Sequence, residues 1–219
     1  VTMSSTSTVE HVVLLNVNDG TDPSNVSSML DGLNALRSLD MVQYLTTGPV
    51  HRIRSTSLRF THFFHSKYLS KDDLDVYMSQ PAHVGLVQST ILRICDDLMV
   101  VDWVAPGIPI ALGPKPGSAI RVQFVRLKEG LGELEKGEVL EVIGGLKDKV
   151  NGIEEFNFGE SFSPAYARGF SIAWMEVFPG VSMLDSVRDS VEIVMENDKV
   201  KDYVETFLVV DYVLPSSQS

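Results

Sequence analysis

The sequence predicts an α+β fold made of two tandem ferredoxin-like (βαββαβ) repeats that pack as one internal barrel. Apolar runs with strand and helix periodicity follow each other in the order β-α-β-β-α-β within residues 9–105. A linker rich in proline and glycine follows at residues 106–117, and the same order returns within residues 118–214. The register is clearest where Val100–Val104 (VVDWV) matches Val209–Val213 (VVDYV) at an offset of 109 residues (209 − 100). Two sheets that are each half covered by helices can bury their bare faces on each other.

The first repeat opens with a strand and a helix. Residues 10–17 form a β-branched and aliphatic run that ends at the turn Asn18-Asp19-Gly20. Asp22 can cap a helix that starts at Pro23, because proline suits the first helical position. The helix presents an apolar stripe to the sheet: Val26, Met29, Leu30, Leu33 and Leu36.

A hairpin and a final strand complete the sheet of the first repeat. Residues 42–47 predict a strand that Gly48-Pro49 ends, and residues 58–68 predict its partner. The polar turn Ser55-Thr56-Ser57 leads into that partner. Residues 98–104 predict the last strand.

A helix break at Pro81 divides the second helical region of this repeat. Ser70 caps the helix before the break, and Pro81 opens the next, with Val84, Val87 and Ile91 turned inward. The proline restricts Gln80 to extended or turn geometry, so Tyr77 and His83 lie on either side of the break and can reach one cavity. Two interpretations are open at this point: a ligand site, or an ordinary helix corner in which the two rings pack.

The second repeat follows the same order. Strands are predicted at residues 120–127, 153–158 and 170–178, and a helical region at 183–203. Its first helix has an apolar stripe of its own: Val139, Val142, Ile143, Leu146 and Val150.

Composition excludes several classes of partner. A formal net charge of −11 argues against nucleic acid, which requires clustered lysine and arginine. No apolar run reaches the roughly 18 residues of a membrane span, so we expect no membrane partner. The single cysteine, Cys95, reads as a small buried hydrophobe in an intracellular protein. We expect a cytoplasmic location, and an organelle such as the chloroplast or peroxisome is left open because a cleaved leader before Val1 would leave no trace.

Four motifs stand out in the first repeat: Glu10-His11-Val12-Val13, Phe60-Thr61-His62, Tyr77 through Gly85, and Val101-Asp102-Trp103. They resemble those of the stress-response A/B barrel family, plant relatives of the dimeric α/β barrel superfamily. The resemblance covers nearly the whole chain. Single-domain members pair as homodimers, which implies that a tandem chain forms the equivalent barrel internally, with further pairing as a homodimer left open.

One branch of this family, the plant polyketide cyclases that form olivetolic acid, has a similar motif around the helix break. That resemblance implies His83 as general base and Tyr77 as its partner on the substrate carbonyl, with His11 and His62 lining the pocket. Met29 and Leu33 stand on the first helix where pocket-lining aromatics are expected. Gln80 departs from the motif, which has a histidine there. An imidazole with an ordinary pKa near 6.5 can take an α-proton at neutral pH, and a phenol can donate to the enolate.

The second repeat is predicted to be a structural half whose matching place is filled by apolar side chains. Opposite His11, His62 and His83 we place Ala119, Ile172 and Glu192, and opposite Tyr77 either Ser186 or Val187. Two functions are therefore compared: a nonenzymatic stress or defence protein that binds a small apolar molecule in the first repeat, and a cofactor-free cyclase-like lyase acting on a polyketide-like molecule.

Metal and polar side-chain predictions complete the analysis. His51 and His65 are expected to be solvated, and no zinc site is predicted because cysteine and paired carboxylates at ligand spacing are missing. Asp102 and Asp211 end strands in both repeats, which indicates structural hydrogen bonds. We expect no cofactor; the resemblance implies at most a magnesium ion on the backbone carbonyls at the end of the first helix, those of Leu33, Leu36, Arg37 and Leu39.

Overall fold

The computed structural model describes residues 7–55, 57–106, 113–163 and 165–216. The chain divides into two compact units. Unit 1 contains the described residues of Val1–Pro49 and Arg59–Gly113, and unit 2 those of Val50–Leu58 and Pro114–Ser219. The short segment 50–58 of the first repeat therefore belongs to unit 2.

Unit 1 has an antiparallel sheet of four strands in the order β2-β4-β1-β5. Its strands are β1 (Ser7–Val17), β2 (Tyr44–Pro49), β4 (His62–Tyr68) and β5 (Cys95–Pro106). The central strand β1 pairs with both β4 and β5, so that His11 lies opposite Ser66 on one side and Asp102 on the other. Gly48 and Pro49, which we expected to end a strand, lie inside β2.

The helices of unit 1 follow from their caps. They are α1 (Pro23–Ala35), α2 (Lys71–Ser79), α3 (Pro81–Leu86) and the short α4 (Leu92–Ile94), with a π-helical turn at Val87–Ile91 before α4. The Asp22 side chain accepts a hydrogen bond from the Ser24 backbone N at 2.8 Å, and Ser70 Oγ accepts from Asp73 N at 3.1 Å. Met29 and Leu33 of α1 and Leu74 and Tyr77 of α2 are buried.

The predicted break between α2 and α3 is confirmed. Gln80 has φ −61° and ψ 134°, which is the extended geometry that a following proline imposes. The inward face predicted for the next helix is partly wrong: Ile91 is buried, but Val84 is 38% exposed. The reason is that α3 is only six residues long and buries none of its side chains.

Unit 2 has a five-stranded antiparallel sheet in the order β3-β9-β6-β8-β7. Its strands are β3 (Arg52–Arg54), β6 (Ala119–Leu127), β7 (Glu155–Glu160), β8 (Phe170–Phe178) and β9 (Val204–Val213), and its helices are α5 (Glu133–Gly144), α6 (Val181–Ser186) and α7 (Ser190–Glu196). The strand β3 was not predicted. It comes from the hairpin of the first repeat and pairs with the edge strand β9, Arg52 opposite Asp211.

The core of unit 2 lies between the sheet and α5 and α7. Three residues of the predicted helix stripe, Val139, Ile143 and Leu146, are fully buried there. They pack in one cluster with Trp174 of β8 and Val209 of β9. Burying side chains of this size stabilises a fold by roughly 1.5–3 kcal/mol each.

The α+β fold with two ferredoxin-like repeats is confirmed. The domain bounds and the closure of the repeats into one barrel stay predictions, and most of the predicted linker lies outside the described residues.

Candidate functional site

His11 stands at the centre of the unit 1 sheet, on the face that α1 and α2 cover. Its Nδ1 lies 2.5 Å from Oδ1 of Asp102, and the two residues are 2% and 6% exposed. Donation from Nδ1–H to the carboxylate fixes the ring orientation and, in the neutral imidazole, leaves Nε2 as an acceptor. Asp102 was predicted to make a structural hydrogen bond, and this contact is that bond.

Aromatic rings surround His11. Its ring centroid lies 5.9 Å from that of Phe64, 6.2 Å from Tyr68 and 5.9 Å from Tyr77. Phe64 and Tyr68 come from β4, whereas Tyr77 comes from the buried side of α2. Together with His83 these four residues form what we call the ring cluster.

The tyrosine hydroxyls of the ring cluster form a chain of hydrogen bonds. Ser66 Oγ and the Tyr68 hydroxyl are 2.9 Å apart, and the Tyr68 hydroxyl also interacts with that of Tyr77. Burial raises the pKa of both phenols, most strongly for Tyr68, whose donation to Tyr77 raises it further. Both hydroxyls therefore stay protonated at neutral pH, and Tyr77 can donate its proton away from Tyr68.

His83 lies at the edge of the ring cluster. Its ring centroid is 4.8 Å from that of Tyr77, and its Nδ1 is 3.1 Å from the Met78 carbonyl oxygen. Nδ1–H donates to that carbonyl, so Nε2 is left as the acceptor of the neutral ring. Partial burial lowers the His83 pKa below its ordinary value, against the opposing hydrogen bond to Met78. The ring is neutral at pH 7.

The structure thus brings His11, Tyr77 and His83 together, but it places the other predicted pocket residues elsewhere. His62 is paired with Leu15, four residues along β4 from Ser66, which is about 13 Å of strand. Its Nδ1 is 2.8 Å from Thr61 Oγ1, and burial lowers its pKa. Met29 and Leu33 are buried on α1, with Met29 Sδ 3.9 Å from Cys95 Sγ. The described contacts do not join these three residues to the ring cluster.

In unit 2, the residue equivalent to His11 is Arg121, not Ala119. Arg121 pairs with Asp211 across the sheet just as His11 pairs with Asp102. Arg121 Nε donates to Asp211 Oδ1 at 2.8 Å, and its Nη2 donates to the carbonyl oxygen of Leu184 at 3.3 Å. Asp211 therefore makes the structural bond predicted for it.

Arg54 of β3 completes this set of charges. Its Nη2 donates to Asp189 Oδ1 at 2.7 Å and to Asp211 Oδ2 at 3.1 Å. We call Arg54, Arg121, Asp189 and Asp211 the arginine network. The apolar filling predicted for this place is wrong, because Arg121 and Asp211 occupy it with a buried ion pair.

A second polar cluster of unit 2 lies beside the arginine network. Glu176, which takes the sheet position of Ser66, accepts hydrogen bonds from Ser190 Oγ and from Gln123 Nε2, the latter at 3.2 Å. Trp174 Nε1 donates to the same Ser190 Oγ at 2.9 Å. Glu176 Oε2 is buried without a hydrogen-bond partner. Burial raises the pKa of Glu176 to about 7.

The prediction of two solvated histidines is correct for His51 and wrong for His65. The His51 side chain is 39% exposed and lies 3.9 Å from Asp185. His65 is fully buried on the sheet face opposite His11, with Nε2 2.5 Å from Glu10 Oε2. Alternation along β4 was the available signal, because it places His65 on the same face as Phe63 and Glu10 on the neighbouring strand.

The described structure gives little support for a metal. Among the residues it describes, no group of three or more His, Cys, Asp or Glu side chains could hold an ion. The carbonyl oxygens of Leu33, Leu36 and Leu39 each already accept a backbone hydrogen bond, from Leu36, Leu39 and Val42. These carbonyls bring no negative charge, so magnesium stays a prediction and no chemistry below depends on it.

Comparison with known proteins identifies relatives along the whole chain. A family model described as "Stress responsive A/B Barrel Domain" matches residues 9–105 and 120–214. One stress-response A/B barrel domain-containing protein of Arabidopsis thaliana is 44% identical over 210 residues, which cover 95% of this chain and 80% of that protein. A second protein of the same description and organism is 40% identical over 213 residues, covering 96% of this chain and 99% of that protein.

Solved structures share the fold. A Fusobacterium nucleatum protein provisionally described as a monooxygenase has 14% identity and a TM-score of 0.62, over 97% of this chain and 94% of its own. A protein provisionally described as a chlorite dismutase has 8% identity and a TM-score of 0.59, over 96% of both chains. At these identities only the fold is shared. In the part of the chain that the structure describes, none of the helices is long and apolar enough to cross a membrane.

Proposed function

Because the chain belongs to the stress-responsive A/B barrel domain family, we propose that it serves a stress or defence role by binding a small, largely apolar molecule at the ring cluster of unit 1. The observation that carries this proposal is the convergence of two imidazoles and a phenol, those of His11, His83 and Tyr77, on one helix-covered face of the sheet. In unit 2 the equivalent place is occupied by the arginine network.

The side chains of the ring cluster indicate what kind of ligand would fit the site. Phe64, Tyr68 and Tyr77 offer ring faces and edges to an apolar or aromatic body. The Tyr77 hydroxyl offers a donor, and Nε2 of a neutral imidazole offers an acceptor. A small molecule with a carbonyl and a hydroxyl on an apolar frame, such as a polyketide-like compound, meets all three requirements. The stress or defence role rests on the family to which the relatives belong.

A ligand screen tests the proposal, with a matched control from the other unit. His83→Ala removes an acceptor at the edge of the ring cluster, and Glu192→Ala changes the equivalent exposed position of α7. A library of phenolic and polyketide-like compounds is screened by thermal shift and ligand-observed NMR. We expect a compound that binds the wild type and Glu192→Ala about tenfold more tightly than His83→Ala. Equal binding to all three proteins would place the ligand elsewhere and refute the proposal.

The contact between Tyr77 and His83 favours a second candidate function, a cofactor-free cyclase-like lyase. In this reaction His83 Nε2 takes a proton from the carbon next to a carbonyl, and Tyr77 donates a hydrogen bond to the oxygen on which negative charge develops. The lowered pKa of His83 supports this role because it keeps the base form available at neutral pH. The raised pKa of Tyr77 supports it because the phenol stays a donor.

Turnover of any compound found in the screen distinguishes the two functions. An enzyme loses activity in both His83→Ala and Tyr77→Phe, by 10²-fold or more on the order expected for a general base. Its rate falls as pH decreases through the lowered pKa of His83, below about 6.5, and is level through neutrality. A ligand that binds without chemical change at any pH supports the binding function alone. Homodimer formation and cellular compartment stay predictions.

A further inference from the structure

We propose that α3 is a lid that must open before a ligand can reach the ring cluster, and that Leu86 against Gly32 is the latch of this lid. The inference rests on the ligand site proposed above, because it concerns how that site is reached. Three features of α3 support the inference. It covers the ring cluster, few side-chain contacts hold it, and a proline break and a π-helical turn flank it.

The ring cluster is closed in the structure. His11, Tyr68 and Tyr77 are 2%, 0% and 1% exposed, so a ligand cannot touch their polar atoms without movement of a neighbouring element. His83 is the member of the cluster that solvent reaches, and its ring contacts that of Tyr77 at an interplanar angle of 52°. His83 is carried by α3. Displacing α3 therefore uncovers Tyr77 first.

Few interactions hold α3 in place. None of its six residues is buried. The backbone stays helical from α3 through the π-helical turn Val87–Ile91 to Ile94, and the first buried side chain of this run is that of Ile91. The part before Ile91 therefore lacks the packing of an apolar face from which most helical stability comes. The side-chain interactions of α3 include the tilted ring contact of His83 with Tyr77, the bond from His83 Nδ1 to the Met78 carbonyl at 3.1 Å, and the contact of Leu86 with Gly32 of α1.

Both ends of α3 can act as hinges. Gln80 is extended, and Pro81 interrupts the hydrogen bonding between α2 and α3 because it has no backbone N–H. Behind α3 the chain forms the π-helical turn Val87–Ile91, and burial resumes only at Ile91. Single π-helical turns of this kind are frequent at functional sites. Local opening is expected where buried apolar contacts are few.

The equivalent helix of unit 2, α7, is fixed instead. It buries Ser190, Val191 and Val194. Gln123 Oε1 accepts a hydrogen bond from the Val191 backbone N at 2.8 Å, and Asp189 just before the helix pairs with Arg54. This contrast makes α7 an internal reference for α3 in the same molecule.

The latch can be released without weakening the fold. A Cβ added at Gly32 would lie 2.5 Å from Leu86 Cδ1, so Gly32→Ala forces the end of the leucine away. Alanine favours a helix over glycine by roughly 1 kcal/mol, so α1 itself gains. Gly137→Ala makes the same change in α5, and Gly85→Ala adds a methyl to α3 itself; at both positions an added Cβ meets nothing within 4 Å.

Hydrogen–deuterium exchange on the free, full-length protein measures the opening of the lid. In the wild type, the amides of residues 82–86 should exchange faster than those of residues 190–196; Pro81 has no amide hydrogen. Gly32→Ala should speed exchange at 82–86 about tenfold, while Gly137→Ala and Gly85→Ala should not speed it. Exchange at 82–86 as slow as in α7, or unchanged in Gly32→Ala, would overturn the proposal.

Chemical modification measures access to the site itself. Diethyl pyrocarbonate acylates accessible imidazoles, and mass spectrometry locates the modified histidine. His11 should react faster in Gly32→Ala than in the wild type, whereas His65, fully buried on the opposite sheet face, should react at the same rate in both. A parallel rise at His11 and His65 would indicate general unfolding and refute the lid. Neither experiment uses a ligand, so the lid can fail while the ligand screen succeeds, and the reverse.

Discussion

At the register position where unit 1 has His11 opposite Asp102, unit 2 has Arg121 opposite Asp211. The imidazole bonds Asp102 through one nitrogen and keeps a second for another partner. The guanidinium of Arg121 instead donates its hydrogen bonds to Asp211 and to backbone carbonyls just after α6. Equivalent aspartates thus have different roles: Asp102 orients the imidazole of His11, whereas Asp211 neutralises the charge of Arg121.

The helix that follows shows the same difference. Gln80 precedes α3 in unit 1, and Asp189 precedes α7 in unit 2, where it bonds Arg54. The beginning of α7 is fixed by two side chains of the sheet. Gln123 donates to Ser190 Oγ and accepts from the Val191 backbone N, and Glu176 accepts from Ser190 Oγ.

The arginine network pairs its buried charges within unit 2 and supports the fold, whereas the imidazole of His11 has a second nitrogen for another partner. Glu176 is the exception in unit 2, because its Oε2 is buried without a hydrogen-bond partner. Four predictions test this comparison.

The largest effect is expected from Asp211→Ala. The variant leaves the guanidiniums of Arg121 and Arg54 without their shared carboxylate, and breaking a buried ion pair costs about 3–5 kcal/mol. Asp102→Ala should cost less, about 1–3 kcal/mol, because Asp102 bonds one nitrogen of a single side chain, His11, whereas Asp211 bonds two arginines. Urea denaturation at pH 7 measures both. Equal losses would show that the two aspartates do the same work.

The next effect concerns pH and Glu176. Its pKa in the folded protein is about 7 and its ordinary value is 4.5. Because the folded-state pKa is raised, the stability linked to this proton is fully present below pH 4.5 and is lost as pH rises through 7. The loss amounts to about 3 kcal/mol.

Glu176→Gln removes this titration because it replaces the carboxyl group with a neutral amide of nearly the same shape. The difference in unfolding free energy between variant and wild type should shift in favour of the variant between pH 5 and pH 8. Denaturation midpoints at several pH values measure the shift. A constant difference across this range would contradict the raised pKa.

A smaller effect is expected at β3, where two arginines serve as a matched pair. Arg54 bonds Asp189 and Asp211, which are both largely buried, and its side chain is 28% exposed. Arg52 is 43% exposed; it bonds the half-exposed Asp185 and lies 3.5 Å from Asp211. Arg54→Ala should cost about 2 kcal/mol and Arg52→Ala less than about 1 kcal/mol. Urea denaturation of the two variants at two ionic strengths measures each loss in unfolding free energy. A larger loss for Arg52→Ala would mean that the exposed contacts, not the arginine network, hold the strand.

The smallest stability effects are expected at the ring cluster. Tyr77→Phe keeps the ring and removes a hydroxyl, and His83→Ala removes a side chain that is only partly buried. Both should change the unfolding free energy by less than about 1 kcal/mol and leave the melting temperature nearly unchanged. Calorimetry measures this. A loss of several kcal/mol would favour the helix corner in which the two rings only pack.

The sequence was sufficient where local chemistry decides structure. Asp22 with Pro23, Ser70 with Asp73, and Pro81 predicted three helix starts, because caps and prolines act within a few residues. It was not sufficient for β3, a strand of three residues whose partner Asp211 lies far along the chain and leaves no local signal.

The error at Arg121 has a specific cause. Ala119 and Arg121 are two residues apart on β6, so both point to the same face and strand alternation cannot distinguish them. The sequence offsets also differ, 110 residues for His11 and Arg121 (121 − 11) but 109 for Asp102 and Asp211 (211 − 102). One residue is therefore missing from the second repeat between these positions, and only paired strands show where the matching resumes. His65 and Glu176 were missed because charged side chains are seldom fully buried.

The placement of segment 50–58 in unit 2 bears on how such a chain can change during evolution. A break in the linker would leave β3 attached to the first repeat and remove it from β9, its hydrogen-bonded neighbour. Either half, inherited alone, would carry an unpaired strand or an uncovered sheet edge, together with an aspartate lacking one of its arginines. We therefore expect gene fission or shuffling at the linker to cost stability, because it separates β3 from β9.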